Sequence, residues 1–558
     1  MRVRHSPAGE LAFALLGGIA LAVLLHWPLA LHLGGDVAKD LGDPLSQAWQ
    51  VAWDGHALLH QPLRFFDANQ FFPQHDTLAY SDALLGYAPA GLLGSGPHAA
   101  IARYDLLYLF AYGLAFAGAW ALARELGAPP AAALVAGVAY AFSPWRLEQS
   151  GHLHVISSGG IPLALALLVR GWRLQRPALA LACWAVATWQ LSLGWTLGLQ
   201  LAYLLAVLAA LAGLSRVRAR GRGERTAPLS RGLLAANGAG ALLFAAFGVL
   251  VGRVYLHVAA QFPQARRGPE TVVHYSGSPV EFLAAGRDSF LWSGITAAAR
   301  AQLSAVAEQS LFPGLAIAAL ATLGALRGPW PRGLRRGLAL GALATAVLAL
   351  GFTSAAHRWL FPYGWLYALP GWDAIRTPGR LMTLTTLALA LLAAAGAQRL
   401  AARRRWAPYA LSALVLLEGC AFSLHDGALR GPPHPRVPAP PPGLAAARPP
   451  LLELPMGPFD NRRYLVWSTA GFPAMANGRS SLNPPSFAAL GRQAARFPDA
   501  ASVAALRAVG IRTVVLHRAH LEGTPWADWA RRPWRALGLS RELREGVVLY
   551  GIPPARAG

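Results

Sequence analysis

Apolar stretches long enough to cross a bilayer recur along most of this chain, and no other feature narrows its folding options so far. Only a helix satisfies every backbone N–H and C=O inside hydrocarbon, and about 20 apolar residues are needed to span it. Such stretches occupy residues 11–33, 104–122, 131–142, 154–169, 177–193, 196–214, 233–256, 311–326, 338–352, 381–400 and 408–422. Composition agrees: the 558 residues are 55% hydrophobic and only 13% charged, against roughly 25% charged in a soluble protein. The expected fold class is an α-helical integral membrane protein with about eleven transmembrane helices. The two cysteines, Cys183 and Cys420, lie far apart inside apolar stretches, so they are read as lipid-facing or packing residues and no disulfide framework or thiolate metal site is available.

The formal charge of +23 is an orientation signal rather than a nucleic-acid footprint, and no nucleic-acid partner is expected. With Arg2 and Arg4 cytoplasmic, the alternation of spans puts Arg124, then Arg170, Arg173 and Arg176, on that same side. Arg216, Arg218, Arg220, Arg222, Arg225 and Arg231 follow there, then Arg327, Arg332, Arg335 and Arg336, and finally Arg403, Arg404 and Arg405. The run 11–33 is too long for a signal peptide and lacks a small-x-small cleavage site, so it reads as a retained first span. An odd number of spans then leaves the C-terminal segment outside. The expected location is a membrane crossed many times, with the N-terminus cytoplasmic.

The outer segments carry the polar chemistry. Four are long enough to have work of their own: 34–103, 143–153, 257–310 and 355–380. The expected division is a transmembrane domain over 1–428, a Pro-rich linker over 429–445 and a small extracytoplasmic α/β domain over 446–558. In that tail, strand-like runs fall at 451–454, 511–516 and 547–552, with a helical pattern at 500–509. Its arginines, including Arg462, Arg463, Arg531 and Arg532, outnumber its acids and suggest contact with anionic lipid or polymer.

The first outer segment is the densest in acids. Asp36, Lys39, Asp40 and Asp43 follow the first span, and the run from Asp43–Pro44 through Trp49 and Trp53 describes a helix with one Trp-bearing apolar face, lying along the membrane surface. Asp43 would be its N-cap, worth about 1 kcal/mol, or a carboxylate held where a lipid-linked substrate presents its head group. Asp36, Asp40 and Asp43 would share a face if that segment were helical, but Gly35 and Gly42 argue against a continuous helix. Two of these carboxylates, Asp36 and Asp43 first, would suit Mg²⁺ or Mn²⁺. Lys39, the sole lysine, fits a salt bridge or a phosphate contact. His56, His60, His75 and His98 show no metal-ligand spacing and read as structural. Glu418 stands out as an acid within a span, and Trp145, Trp292, Trp359, Tyr363 and Trp365 suit an outer aromatic belt.

Several runs carry a family resemblance: GDPLSQAWQVAWD at 42–54, FFP at 71–73 with LAYSDALLG at 78–86, and AFSPWRLEQSGHLHVIS at 141–157. EQSLFPG at 308–314, LPGWDAIRTPGRL at 369–381, LLELPMG at 451–457 and FPDAASVAALRAVGIRTVVLHR at 497–518 extend it over most of the chain. The sequence resembles bacterial membrane proteins of the C-type (GT-C) glycosyltransferase superfamily, which implies a bacterial plasma (inner) membrane. That resemblance implies transfer of a sugar from a polyprenyl-phosphate donor to an extracytoplasmic glycan, lipid or protein acceptor, with an acid of the first outer segment assisting. Asp43 is the first choice for base because the GDP run carries the likeness, with Asp36 and Asp40 behind it. The leaving phosphate needs cations, and the candidates are Arg146, His152, His154, Arg376 and Arg380, together with Lys39. Arg376 and Arg380 would share a helical face if the helix extends back past Pro378. These cations can equally snorkel to head groups or pair with Glu148 and Glu308.

No P-loop lysine, GxSxG elbow or GxGxxG run is present, which argues against nucleotide-driven pumping. Two other classes compete: a transporter or lipid flippase, and a non-catalytic membrane protein that binds an envelope polymer. Acids and arginines concentrated in outer segments and span ends, rather than at span centres, favour surface chemistry over transport.

Overall fold

The computed structural model describes residues 7–224, 229–425 and 428–554; Arg2, Arg4 and Arg225 of the orientation argument lie outside them. Each apolar stretch named above contains a helix, but 26–28, 157–159, 311–314 and 419–422, for instance, lie outside one. Among the described residues six helices are long and apolar enough to cross a membrane: Ala8–Leu25, Gly96–Glu125, Leu153–Leu174, Trp195–Gly221, Arg231–Gln261 and Pro378–Ala401. The chain is a multi-pass membrane protein. It divides into two compact units, one of 1–31, 106–252 and 266–433, the other of 32–105, 253–265 and 434–558.

The first unit is helical. It contains α1 (Pro7–Leu25), most of α3 (Gly96–Glu125), α4 (Pro130–Ala141), α5 (Gly160–Leu174), α6 (Pro177–Leu193), α7 (Trp195–Gly221) and most of α8 (Arg231–Gln261), with α2 reserved for a helix of the other unit. It continues through α9 (Leu315–Arg327), α10 (Arg332–Ala349), α11 (Met382–Ala401) and α12 (Ala407–Glu418). Helix α11 is the centre, packed against α9, α4, α10 and α12. Lipid tails are as apolar as leucine, so close van der Waals approach must hold such helices together, and small residues permit it. Gly324 on α9 and Gly396 on α11 show this: a Cβ on Gly324 would stand 1.9 Å from the Leu392 carbonyl, and one on Gly396 2.3 Å from that of Leu320.

Some buried charges of this unit find their partners within it. Glu418 is buried, and its two carboxylate oxygens accept the N–H groups of Leu315 (3.1 Å) and Ala316 (2.9 Å). It caps the N-terminus of α9, where a negative charge is favoured, instead of reaching water. Two expected belt residues, Trp145 and Tyr363, are buried with Phe352 and Trp372 in a core cluster, while Trp359 and Trp365 are exposed. Cys183 and Cys420 are both buried, so they pack inside the protein rather than facing lipid.

The second unit joins the first outer segment to the tail. Helix α2 (Asp43–His60) is followed by the tail helices α13 (Pro458–Ser468), α14 (Pro485–Ala494) and α15 (Ala500–Val509). A four-stranded sheet is built from β1 (Leu451–Leu454), β2 (Thr513–His517), β3 (Ser540–Arg544) and β4 (Val547–Gly551), in the order β1-β2-β4-β3. Strands β1 and β2 are parallel, with Leu451 opposite Thr513, and the remaining pairs are antiparallel. The capping box Asp499–Ser502 starts α15. Backbone hydrogen bonds stitch the two sequence segments together: Phe71 N–H to Asn477 O at 3.0 Å, Met475 N–H to Asn69 O at 3.0 Å and Val437 N–H to Gly35 O at 2.8 Å.

Helix α2 departs from expectation in two ways. Gly42 takes the N-cap position without a side-chain cap, and Asp43 is the first helical residue, its carboxylate directed elsewhere. Its Trp face does not lie against lipid: Trp49 and Trp53 pack with Tyr464, Leu465 and Trp467 from α13. An apolar face is satisfied by protein as readily as by hydrocarbon, so the pattern alone could not choose. Trp49 Nε1 donates to Asn69 Oδ1 at 3.0 Å and Trp53 Nε1 to Phe65 O at 3.0 Å, which locks both rings.

Asp54, three turns beyond Asp43, is fully buried, and neither carboxylate oxygen has a hydrogen-bond partner among the described residues. Burial pushes its carboxyl well above the usual carboxylate range. A raised acid takes up a proton on folding, so it costs stability once the pH exceeds the unfolded value of about 3.9. D54N is expected to unfold at higher temperature than wild type near neutral pH, by an amount equivalent to about 1–3 kcal/mol. The gain should fade toward about pH 4. Tryptophan-detected thermal unfolding in nanodiscs checks this, and a gain independent of pH would contradict an ionisation origin.

Candidate functional site

Two groups of charged residues stand out, one in each unit. In the second unit the chain leaves α1 and turns sharply. Asp36 pairs through its backbone with Arg436, Lys39 adopts a left-handed conformation (φ 75°) and stands half-buried, and exposed Asp40 accepts the Gly42 N–H at 2.7 Å. These residues are not helical, so Asp36, Asp40 and Asp43 do not share a helix face. A left-handed lysine is a strained position held by its surroundings. Beside Asp36, burial pushes the His434 imidazole down to about 4, against the opposing pull of the Asp36 carboxylate.

Asp43 begins α2 and is half-exposed. Its Oδ1 accepts a 2.6 Å hydrogen bond from Arg462 Nη2, and the Arg462 side chain is 13% exposed against 44% for Asp43. The helix N-terminus and the guanidinium both favour a negative charge there. The other tail arginines are also largely committed: Arg463 to Asp460 (3.4 Å) and His520 (2.7 Å), Arg532 to Asp528 (2.8 Å) and the Phe497 carbonyl (2.7 Å). Of the four, Arg531 is exposed without such pairing among the described residues. His98 bonds the Gly34 carbonyl at 3.0 Å, and His56 packs on His60 and Phe472.

Among the described residues no group of three or more His, Cys, Asp or Glu is gathered closely enough to hold a metal ion. Asp40 and Asp43 are meanwhile occupied by Gly42 and Arg462. No step below is routed through a metal.

The first unit brings together Arg380, Glu308 and His154. Arg380 Nη2 and Nε donate to the Glu308 carboxylate at 2.7 and 3.3 Å, a two-point pairing, and Nη1 lies 3.0 Å from His154 Nε2. Burial by itself would raise the Glu308 carboxyl, but Arg380, with His152 and Arg376 behind it, holds it below its ordinary value. The His152 and His154 rings meet edge to face at 5.8 Å. Arg146 is buried between Tyr112 and Tyr140, with Nη1 donating to Ser158 Oγ at 2.7 Å and Nη2 to the Ile156 carbonyl. That cation is structural glue for the 141–158 turn rather than a surface contact.

Arg376 differs from all of these. It is half-buried with its guanidinium over the Tyr275 ring, 5.3 Å from the centroid, and makes no ion pair or hydrogen bond among the described residues. Arg376 and Arg380 do not share a helical turn. Thr377 ends the extended segment and Pro378 opens a tight turn before α11, as the steric restriction on a residue preceding proline requires.

Two further acids escaped the sequence reading. Asp105 is buried on α3, with Oδ2 accepting the Gly34 N–H at 3.1 Å and Oδ1 unpartnered among the described residues. Its signal was present, as an acid inside the apolar run 104–122. Glu281 is buried on a short turn of the 257–310 segment, and burial pushes its carboxyl up to about 8. Nothing local in sequence marks it, because long-range packing buries it.

No family model and no curated protein matches the sequence. Among solved structures, the arabinofuranosyltransferase AftD from Mycobacteria aligns with a TM-score of 0.58 at 18% identity, over 98% of this chain and 40% of that one. Its R1389S mutant aligns with a TM-score of 0.56 at 15% identity, over 97% and 41%. The Archaeoglobus fulgidus oligosaccharyltransferase with a tethered acceptor peptide aligns with a TM-score of 0.44 at 15% identity, over 92% and 69%. The chain therefore spans about two-fifths of the length of AftD, and over that part it shares the AftD fold.

The Glu308–Arg380 pair yields a stability test. Removing one partner strands a buried charge, so E308A is expected to lose about 3–5 kcal/mol, while E308A/R380M should recover most of it. Because the Glu308 carboxyl is held low, its contribution is present above the ordinary value of 4.5 and disappears as the pH falls through the lowered one. Thermal unfolding of wild type and E308A at a series of pH values should converge in acid; a constant difference would contradict the pairing.

Proposed function

We propose that this protein is a membrane glycosyltransferase that moves a sugar from a polyprenyl-phosphate donor to a hydroxyl acceptor on the extracytoplasmic side. The observation that supports this most is Asp43: a half-exposed carboxylate at the start of α2, just beyond the first span, in surroundings that favour its charged form. The GT-C-like fold is consistent with that chemistry, and the related structure of highest TM-score reported above carries the name arabinofuranosyltransferase.

In the reaction so read, the acceptor oxygen attacks the anomeric carbon as Asp43 takes its proton. The bond from that carbon to the phosphate oxygen breaks, and the electron pair leaves with the polyprenyl phosphate. A positioned base contributes about 10²–10⁴ in rate. A departing phosphate needs a cation, and of the candidate arginines of the first unit Arg376 engages no carboxylate there, whereas Arg380 is neutralised by Glu308; Arg376 is therefore the one to test. His152, His154 and Lys39 remain secondary phosphate contacts, and Asp36 and Asp40 secondary acids. The membrane arrangement belongs to the same proposal: all eleven apolar segments cross a bacterial plasma membrane, the N-terminus is cytoplasmic and the tail extracytoplasmic.

Purified protein in nanodiscs, offered labelled polyprenyl-phosphate pentoses and hexoses, tests the reading. D43N is expected to lower kcat by about 10²–10⁴. R376Q should lower kcat/KM for the donor by about 10- to 100-fold, the value of a charged hydrogen bond. Labelled lipid crossing vesicles with no donor consumed would replace this function with flipping.

A further inference from the structure

We propose that Arg462, supplied by the C-terminal segment, is a positioning residue for Asp43, so that the tail contributes to the transfer machinery itself. This rests on Asp43 acting as the base.

The geometry is asymmetric in an informative way. The Arg462 guanidinium is fixed from three sides: Nη2 to Asp43 Oδ1 at 2.6 Å, Nη1 to the Pro458 carbonyl at 3.4 Å, and the Phe459 ring with its centroid 5.8 Å away. The carboxylate it holds stays 44% exposed, so a hydroxyl can still approach. A merely cohesive ion pair needs no such combination of an immobilised cation and an open anion, and an exposed pair contributes little to stability.

The cation is rigidly placed. Its helix α13 packs on α2 through Tyr464, Leu465 and Trp467 against Trp49 and Trp53. The preceding residue Asn461 donates to the Met456 carbonyl at 2.9 Å and accepts from Asn477 Nδ2 at 2.9 Å. Arg463 points to a different set, Asp460 and His520, so the neighbouring arginines are not interchangeable. Arg462 keeps its proton throughout. Its task is to hold Oδ1, and with it the carboxylate plane, while the acceptor proton moves to Asp43. A misplacement of about 1 Å can cost on the order of 100-fold in rate.

The test uses the full chain in nanodiscs, with whichever labelled polyprenyl-phosphate sugar the wild type consumes. R462Q is expected to lose about 10- to 100-fold in kcat while the donor KM stays within about threefold, and R462K should recover part of the loss. Unchanged kcat in R462Q overturns the inference. D43N with full activity overturns the reading of Asp43 itself, a separate outcome. Should R462Q fail to fold, the exchange D43R/R462D keeps an opposite-charge pair: it is expected to fold and to be inactive. Transfer restored by the exchange would show the pair to be only structural and would overturn the proposal.

Discussion

A charge that leaves water must be met by an opposite charge or a hydrogen bond, and this requirement organises the protein more than any single apolar contact. Glu308 is buried because Arg380 grips both its oxygens. Glu418 is buried because the open N–H groups of α9 receive it. Arg146 is buried because two tyrosine rings, the Ser158 hydroxyl and the Ile156 carbonyl surround it. Each arrangement converts a desolvation penalty into a geometric constraint, since only one placement of the backbone satisfies it.

The same rule separates residues that hold the fold from those available for chemistry. Arg380, Arg146, Arg463 and Arg532 have their partners within the protein. Arg376 is half-buried with its guanidinium stacked on the Tyr275 ring and no carboxylate engaged among the described residues. Asp43 is paired yet open to solvent, whereas Asp54 and Asp105 are closed off. Sorting by satisfaction and exposure thus reduces a long set of polar candidates to a short one.

Much of this could be read from the chain, and the limits are instructive. The apolar runs, the tail strands β1, β2 and β4 and the helical pattern at 500–509 declared themselves by their residue patterns, and the structure adds the Asp499–Ser502 capping box that starts α15. Strand β3, with sequence SRELR, did not: it is an exposed edge strand, and charged edge residues erase the alternation that marks a strand. Pro378 made the Arg376–Arg380 helix pairing conditional, and the pre-proline restriction decided against it. The Trp face of α2 was visible, but its partner was not, because a sequence pattern specifies that a face be covered and not by what.

What the sequence by itself determined was class and composition: a helical membrane protein with an acid-rich segment after the first apolar helix and a tail of strand-like and helical runs. These follow from local patterns, hydrophobic length and turn chemistry, which any short window contains. Tertiary structure alone decided which charges are neutralised, that Asp43 meets Arg462 more than four hundred residues away (|i−j| = 419) and that Glu281 is buried. Pairing and burial depend on which distant segments converge, and electrostatics acts through space, not along the chain.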